Sequence, residues 1–248
     1  MQISQDTLWL HAVVFLRVGP IVSLFPGIGE QSVPMRIKLA LALAFTAICA
    51  PAVAPYLMGQ PDSDFAWLAV TETAIGLMIG IGVRLFLLAM QTAGSIAAQA
   101  TSLSQILGAA GVTPLPAMGH VLALGAITLA MIMGLHVRVA ELVITTYGIF
   151  PVGDLPGSAG VSQWGVAQVA RAFSLAFTLA APFVIVSVLY NLTLGIINRA
   201  MPQMMVVFVG APVITAGGLF LLFLLAPSML GLWMTALQHF IINPFGPP

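Results

Sequence analysis

Six long apolar runs, separated by breaks, limit the folds that this chain can adopt. They cover residues 7–25, 37–58, 65–98, 120–150, 169–197 and 204–240. About 20 apolar residues in a helix cross the hydrocarbon core of a bilayer, and each run is long enough to do so. The runs are continuous and do not alternate with a period of two, as strands of a membrane β-barrel would. The sequence therefore predicts an all-α, multi-helix integral membrane protein.

The composition agrees with a membrane location. Hydrophobic residues make up 60% of the 248 residues and charged residues only 6%, whereas a typical soluble domain is about a quarter charged. So few charges cannot cover a water-facing surface of this size. The formal net charge is zero, which gives no indication of a nucleic-acid partner.

Several runs exceed the length of one bilayer crossing, notably 65–98, 120–150 and 204–240. We expect these runs to tilt, to break at Gly or Pro, or to extend beyond the membrane. Prolines inside the later runs each remove a backbone hydrogen-bond donor, which predicts kinked helical hairpins. These prolines are Pro182, Pro212 and Pro227.

Basic and acidic residues alternate between the breaks. The first loop, residues 27–38, carries Arg36 and Lys38 with Glu30, and the fifth break carries Arg199. The second and fourth breaks carry only acidic residues, namely Asp62, Asp64 and Asp154. Cytoplasmic loops of membrane proteins are rich in Lys and Arg. We therefore expect the first, third and fifth loops to face the cytoplasm and both termini to lie outside.

Six charged residues fall inside apolar runs: Arg17, Glu72, Arg84, Arg138, Glu141 and Arg171. Each costs about 2.5–3.5 kcal/mol at a bilayer centre on insertion scales, so each should be paired or lie near a helix end. Arg138 and Glu141 are three residues apart and can pair on one helix face. Arg17 and Arg171 lie near run ends, from which their side chains could reach the membrane surface.

Glu72 and Arg84 are too far apart on one helix to pair with each other, because three helical turns separate them. Both residues therefore need partners on other helices or on other subunits. Ion coupling is an alternative role for them, but pairing within an assembly is the more economical explanation.

Uncharged polar residues form a stripe at the end of the third run. Gln91, Ser95, Gln99 and Ser102 recur at spacings of four, four and three residues, which places them on one helix face. The stripe suits either the lining of a wet lumen or hydrogen bonds between helices. Both interpretations remain open at this stage.

The loop that follows, residues 100–119, carries no charge and contains Pro114 and Pro116. Irregular backbone exposed to lipid would leave its polar groups unpaired. The loop is therefore expected to lie inside protein or to line a water-filled passage. A short amphipathic surface helix followed by a Pro-containing turn is the alternative.

The sequence gives no indication of an enzyme, a cofactor or a metal site. The four histidines, His11, His120, His136 and His239, lack the spacing of metal-ligand motifs. No nucleophile elbow, Gly-rich phosphate loop or pair of carboxylates within one apolar run is present.

A polar island separates the last two runs. Asn198, Arg199, Pro202 and Gln203 fall within six positions, and Arg199 is the last charged residue of the chain. A solvated loop would be richer in polar residues, and a buried helix would rarely carry these four together. The pattern predicts the tip of a tight apolar helical hairpin.

The island also resembles a known family. Residues 190–204 read Y-N-L-T-L-G-I-I-N-R-A-M-P-Q-M, which is similar to the signature of the FliR family of flagellar type III export-gate proteins; the SctT-like proteins of injectisomes are a related branch. The resemblance spans essentially the whole chain. Other matching positions are Phe208, Gly210 and Pro212, the segments F-L-R-V at 15–18 and V-P-M-R at 33–36, Glu72 with Gly76, Gly80 and Gly82, and Gln91, Gly94 and Gln99.

The resemblance implies a non-enzymatic gate subunit in the bacterial inner membrane, at the flagellar basal body. Such a subunit joins FliP-type and FliQ-type subunits in a closed helical ring that passes unfolded flagellar substrates. An FlhB-type switch subunit and an FlhA-type export protein would lie nearby. A secondary transporter or small-solute channel is the alternative from another class.

The resemblance also implies a division of the chain. Residues 1–168 would form a FliP-like helical part, and residues 169–248 a FliQ-like helical hairpin with the island at its tip. The loop at 100–119 would match the plug that helps to close the resting channel. The plug residues would be Gln105, Ile106, Leu107, Gly108, Ala109, Ala110 and Gly111.

Overall fold

The computed structural model describes residues 5–57, 64–101, 117–201 and 206–246, and in this part of the chain it is all-helical. The described residues form seven helices: α1 Gln5–Leu24, α2 Met35–Leu57, α3 Phe65–Thr101, α4 Ala117–Ile132, α5 Leu135–Ile149, α6 Ser158–Ala200 and α7 Val206–Ile242. The prediction of an all-α protein is confirmed.

Five of these helices, α1, α2, α3, α6 and α7, are long and apolar enough to cross a membrane. The fourth apolar run forms two helices instead, α4 and α5, which meet at a bend of 69° and together count as a possible sixth span. Gly134 lies at this break with φ of 76°, a left-handed conformation that costs glycine little because it has no Cβ. The overlong fourth run therefore breaks at a glycine, which is one of the three possibilities expected for such a run.

Helix α6 begins earlier than its apolar run. We expected the run from 169 onward, but the helix starts at Ser158. The added turns carry Trp164, whose indole Nε1 donates a hydrogen bond to the Pro244 carbonyl at 2.7 Å. Tertiary contacts of this kind extend a helix into a segment of weaker apolar character.

The chain folds into two compact units. The first comprises Met1–Phe86, Ala130–Val169 and Ala236–Pro248. Its core is formed by fully buried apolar side chains that include Val13, Val14, Ile21, Cys49, Val53 and Ile75. Gly76 and Gly80 bring α3 against α1, since a Cβ on Gly76 would overlap the Arg17 carbonyl and one on Gly80 would lie 3.2 Å from the backbone of Ile21.

The second unit comprises Leu87–Leu129 and Ala170–Thr235. Phe183 and Trp233 are fully buried within it. Gly94 of α3 and Gly119 of α4 meet at a close crossing, because a Cβ on Gly94 would overlap Gly119. Both units contain residues on each side of residue 168. The division into a FliP-like part and a FliQ-like hairpin at that residue therefore stays a prediction from the resemblance.

Candidate functional site

Arg17 of α1 and Glu72 of α3 form a buried ion pair in the first unit. The Arg17 Nε donates to Glu72 Oε2 at 2.7 Å, and Nη2 donates to Oε1 at 3.1 Å. Both side chains are 0% exposed. The planar guanidinium matches the two carboxylate oxygens in this bidentate arrangement. The pair therefore neutralises two charges that would be costly alone in a membrane span.

Four further groups surround the pair. The guanidinium donates from Nη1 to the Thr146 hydroxyl at 3.3 Å and from Nη2 to the Phe150 carbonyl at 3.0 Å. The Gly153 N–H donates to the carboxylate at 3.2 Å. The Tyr147 ring lies 3.6 Å from the guanidinium carbon, a distance at which a cation–π interaction is favourable. The pair thereby joins α1, α3, α5 and the segment after α5.

The local sequence explains how these groups reach the pair. Gly153 has φ of 80°, and its carbonyl accepts a hydrogen bond from the Trp67 indole at 3.0 Å. On α5, Thr146 lies next to Tyr147 and one turn before Phe150, so all three are near the same end of the helix. Sequence reasoning missed these groups. For Thr146 and Tyr147, the available sequence signal was a Thr-Tyr pair within an apolar run. The backbone groups of Phe150 and Gly153 leave no signal in the sequence.

The other intramembrane charges have different surroundings. The suggestion that Arg17 reaches the membrane surface is wrong, because its side chain is fully buried. Arg84 Nη1 donates to Glu30 Oε1 at 3.3 Å, with the two side chains 25% and 28% exposed. Such a partly exposed pair contributes little to stability.

The suggested pair of Arg138 and Glu141 does not form. Across the described ranges no ion pair within 4.0 Å joins these residues, and Glu141 is exposed. Arg171 is half-buried.

The polar stripe lies beside the crossing of α3 and α4 in the second unit. Gln91 and Ser95 are half-buried and Gln99 is exposed, while Ser102 lies outside the described residues. The backbone of Gln91 and of Ser95 lies within 3.3–3.6 Å of the Cβ that Gly119 would carry. The stripe stays compatible with a lumen lining and with helix packing.

One hydrogen bond between helices and one close contact hold the end of α3. The Ser187 hydroxyl of α6 donates to the Ala100 carbonyl, and Asn191 Nδ2 donates to Ser187 Oγ at 3.2 Å. A Cβ on Gly218 of α7 would overlap Thr101. The small and polar residues of α6 and α7 thus hold the end of α3 within the second unit.

Helices α6 and α7 form an antiparallel hairpin around the island. The Tyr190 hydroxyl donates to the Gly210 carbonyl at 2.7 Å, and these residues lie symmetrically before and after Ala200. Asn198 and Arg199 are exposed in the last turn of α6. Pro202 and Gln203 lie outside the described residues. The plug residues at 105–111 also lie outside them.

The geometry gives no indication of metal chemistry. Within the parts of the chain that the structure covers, no group of three or more His, Cys, Asp or Glu residues could hold a metal ion. The arrangement defines a class of protein: a multi-pass helical membrane protein with a neutralised charge pair inside one unit and a long helical hairpin near its C-terminus.

Comparison with known proteins assigns the family. The model of the bacterial export proteins, family 1, matches residues 8–240. The flagellar biosynthetic protein FliR of Caulobacter vibrioides is 34% identical over 229 residues, which are 91% of each chain. FliR of Escherichia coli is 30% identical over 88% of this chain and 85% of the relative, and FliR of Bacillus subtilis is 23% identical over 81% and 79%.

The chain therefore belongs to the FliR family of bacterial export proteins. It is a multi-pass membrane component of the flagellar export apparatus. The resemblance that the sequence motifs indicated is confirmed.

Proposed function

We propose that the chain is a non-enzymatic core subunit of the flagellar type III export gate. With FliP-type and FliQ-type subunits it forms the channel through which unfolded flagellar substrates cross the bacterial inner membrane. An FlhB-type switch subunit and an FlhA-type export protein lie near this channel. Membership of the export-protein family supports this function.

One observation carries the proposal of an assembly: the apolar surface of α6 is longer than the hydrocarbon core of a bilayer is thick. Large apolar side chains are exposed along the helix from Val166, at 71%, to Ile196, at 63%. These residues are about 45 Å apart along the axis, whereas the hydrocarbon core is about 30 Å thick. Even a tilt of about 40° leaves a span of about 34 Å.

Helix α7 has the same property. Its exposed apolar side chains extend from Val213, at 55%, to Ile242, at 74%, which is about 44 Å. Apolar surface beyond the hydrocarbon core faces water unless other proteins cover it, and large apolar patches of this kind mark interaction sites. We infer that FliP-type and FliQ-type subunits cover the hairpin of α6 and α7.

The remaining assignments follow from the resemblance. Residues 1–168 are the FliP-like part and residues 169–248 the FliQ-like hairpin. Arg199, exposed at the end of α6, contacts the FlhB-type subunit at the cytoplasmic side of the gate. We also infer, from the uncharged polar side chains on one helix face, that Gln91, Ser95, Gln99 and Ser102 face the lumen.

Residues 105–111 form part of a movable plug in that lumen. This proposal is based on the sequence of these residues, which are uncharged, include several small residues and follow the polar stripe. Deleting them should increase ion leak through the assembled gate. Unchanged conductance in a correctly assembled variant would count against a plug.

The transporter alternative rested on kinked helices and on the intramembrane charges Glu72 and Arg84. The charges now give it less support, because Glu72 pairs with Arg17 and Arg84 with Glu30. A carboxylate engaged by a bidentate guanidinium is a poor carrier of coupling ions, because releasing it would expose an uncompensated buried charge.

Co-purification tests the proposed function. The tagged chain is expressed with the FliP-type and FliQ-type chains of the same genome, and the mass of the purified particle is measured. We expect one stable complex that contains all three chains. A chain that purifies alone, stays folded and moves small solutes in vesicles would contradict the proposal and favour a transporter.

A further inference from the structure

A groove opens on the surface of the first unit, between α1, α2 and α3. Its volume is about 360 Å³, within the range of about 300–1,000 Å³ for small-molecule sites. Its walls are mainly apolar and include Phe15, Leu16 and Gly19 of α1, Leu39 of α2 and Leu77 of α3. Lys38 of α2 also lines the groove and places a positive charge beside this apolar surface.

The Lys38 ammonium is positioned but not neutralised. Its Nζ donates to the Gly29 carbonyl at 3.0 Å, which leaves two further N–H donors. The residues described around it place no carboxylate within 4.0 Å of this nitrogen. Glu30, the acidic residue of the connection between α1 and α2, pairs with Arg84 instead. A half-buried cation without a counter-charge favours an anionic ligand.

The position of the groove fits one leaflet of a bilayer. It follows α1 from Ser23 to Phe15, which is about 12 Å along the helix axis. Half of a hydrocarbon core is about 15 Å deep. Lys38 lies in the first turn of the candidate span Met35–Leu57, the level at which lipid headgroups are found. An extended apolar chain with an anionic head therefore matches the groove in length and charge.

We propose that this groove binds one anionic phospholipid, with an acyl chain along α1 and the phosphate on the Lys38 ammonium. The acyl chain alone provides no selectivity, because lipid tails are as apolar as the groove walls. Preference must come from the headgroup, since basic residues near a membrane surface attract anionic lipids. The site therefore discriminates phosphatidylglycerol from zwitterionic phosphatidylcholine.

The test measures the lipid that stays bound to the full chain. The chain, purified with its co-purifying subunits, is reconstituted in nanodiscs of phosphatidylcholine that contain phosphatidylglycerol, then extracted mildly and analysed by native mass spectrometry. We expect one phosphatidylglycerol retained per chain. Lys38→Gln should lower this retention about fivefold, and Lys38→Arg should restore it.

A second variant fills the groove without touching the charge. A Cβ on Gly19 would lie 3.6 Å from the Phe15 ring, an ordinary contact, so Gly19→Leu should be accommodated while occupying the space of the acyl chain. It should also lower retention. Two matched controls should not: Arg36→Gln, a basic residue that does not line the groove, and Gly160→Leu, at a position in the first turn of α6 with open space in the described structure.

Three results would overturn the proposal. Retention by Lys38→Gln could equal that of Arg36→Gln, which would show that the ammonium is not the contact. Phosphatidylcholine could be retained as well as phosphatidylglycerol. A photoreactive group at Leu39 could attach to a protein subunit and not to lipid, which would show that a partner fills the groove.

Discussion

Arg17 and Glu72, which are 55 residues apart in the sequence, face each other in a bidentate ion pair with no exposed side-chain surface. The guanidinium also donates to the Thr146 hydroxyl and to the Phe150 carbonyl, and the Gly153 N–H donates to the carboxylate. A buried pair gains little net stability when intact, but losing one partner leaves an uncompensated charge. The first unit therefore depends on both members of the pair together.

Glu72→Gln should destabilise the first unit strongly. The change leaves the Arg17 guanidinium buried without its counter-charge, which costs about 3–5 kcal/mol in comparable buried pairs. The measurement is the free energy of unfolding in detergent, with the cellular level of the chain as a second readout. Glu141→Gln is the matched control, because this residue is exposed and its substitution should change stability by less than about 0.5 kcal/mol.

The double variant Arg17→Met with Glu72→Leu sharpens this prediction. It removes both charges, so it should recover more than half of the lost stability. Equal destabilisation by the single and the double variant would show that the charge imbalance is not the cause.

Gly76→Ala should separate α1 from α3. The added Cβ would overlap the Arg17 carbonyl, so one helix backbone must move, at a cost of about 1–3 kcal/mol. Gly165→Ala on α6 is the control, because open space surrounds that position in the described structure and alanine favours a helix by up to about 1 kcal/mol. The midpoints of thermal unfolding of the two variants are compared. Equal midpoints would contradict the close packing of α1 against α3 at Gly76.

The sequence predicted the helices better than their contacts. Apolar run length is a local property, so the helical spans were evident, and a break was one of three solutions expected for the overlong fourth run. That the break falls at Gly134 was not evident, because only its left-handed φ distinguishes it from the other glycines of that run. The charges at Arg17 and Glu72 were visible, but not their pairing. The contribution of the Phe150 carbonyl and of the Gly153 amide could not be predicted either, because nearly every residue carries such backbone groups.

Tyr190→Phe should loosen the hairpin near its tip. The change removes the hydrogen bond from the Tyr190 hydroxyl to the Gly210 carbonyl, and interhelical bonds in membranes contribute about 0.6 kcal/mol on average. Spin labels on the exposed faces of α6 and α7 should report a broader distance distribution. Tyr56→Phe is the control, because this tyrosine of α2 is exposed, and it should leave that distribution unchanged. An identical broadening in both variants would contradict a role of the Tyr190 hydrogen bond in holding the hairpin.

Cysteine labelling tests the side on which the hairpin tip lies. Ala200 is exposed at the end of α6, and the native Cys49 is buried, so background labelling should be low. Ala200→Cys should react with an impermeant maleimide in inverted membrane vesicles and not in spheroplasts. Asp154→Cys, from the acidic loop after α5, should show the opposite pattern. Labelling of Ala200→Cys from the outside alone would reverse the topology.

The central claim, that partner subunits cover the hairpin, is tested most directly by photocross-linking along α6. A photoreactive phenylalanine analogue is placed at Val166 or at Leu192, which are exposed at 71% and 61% and lie about 39 Å apart on the helix, more than the thickness of a hydrocarbon core. In cells that express the whole gate, we predict covalent adducts with FliP-type or FliQ-type chains at both positions. Adducts with lipid alone at both positions would contradict the assembly.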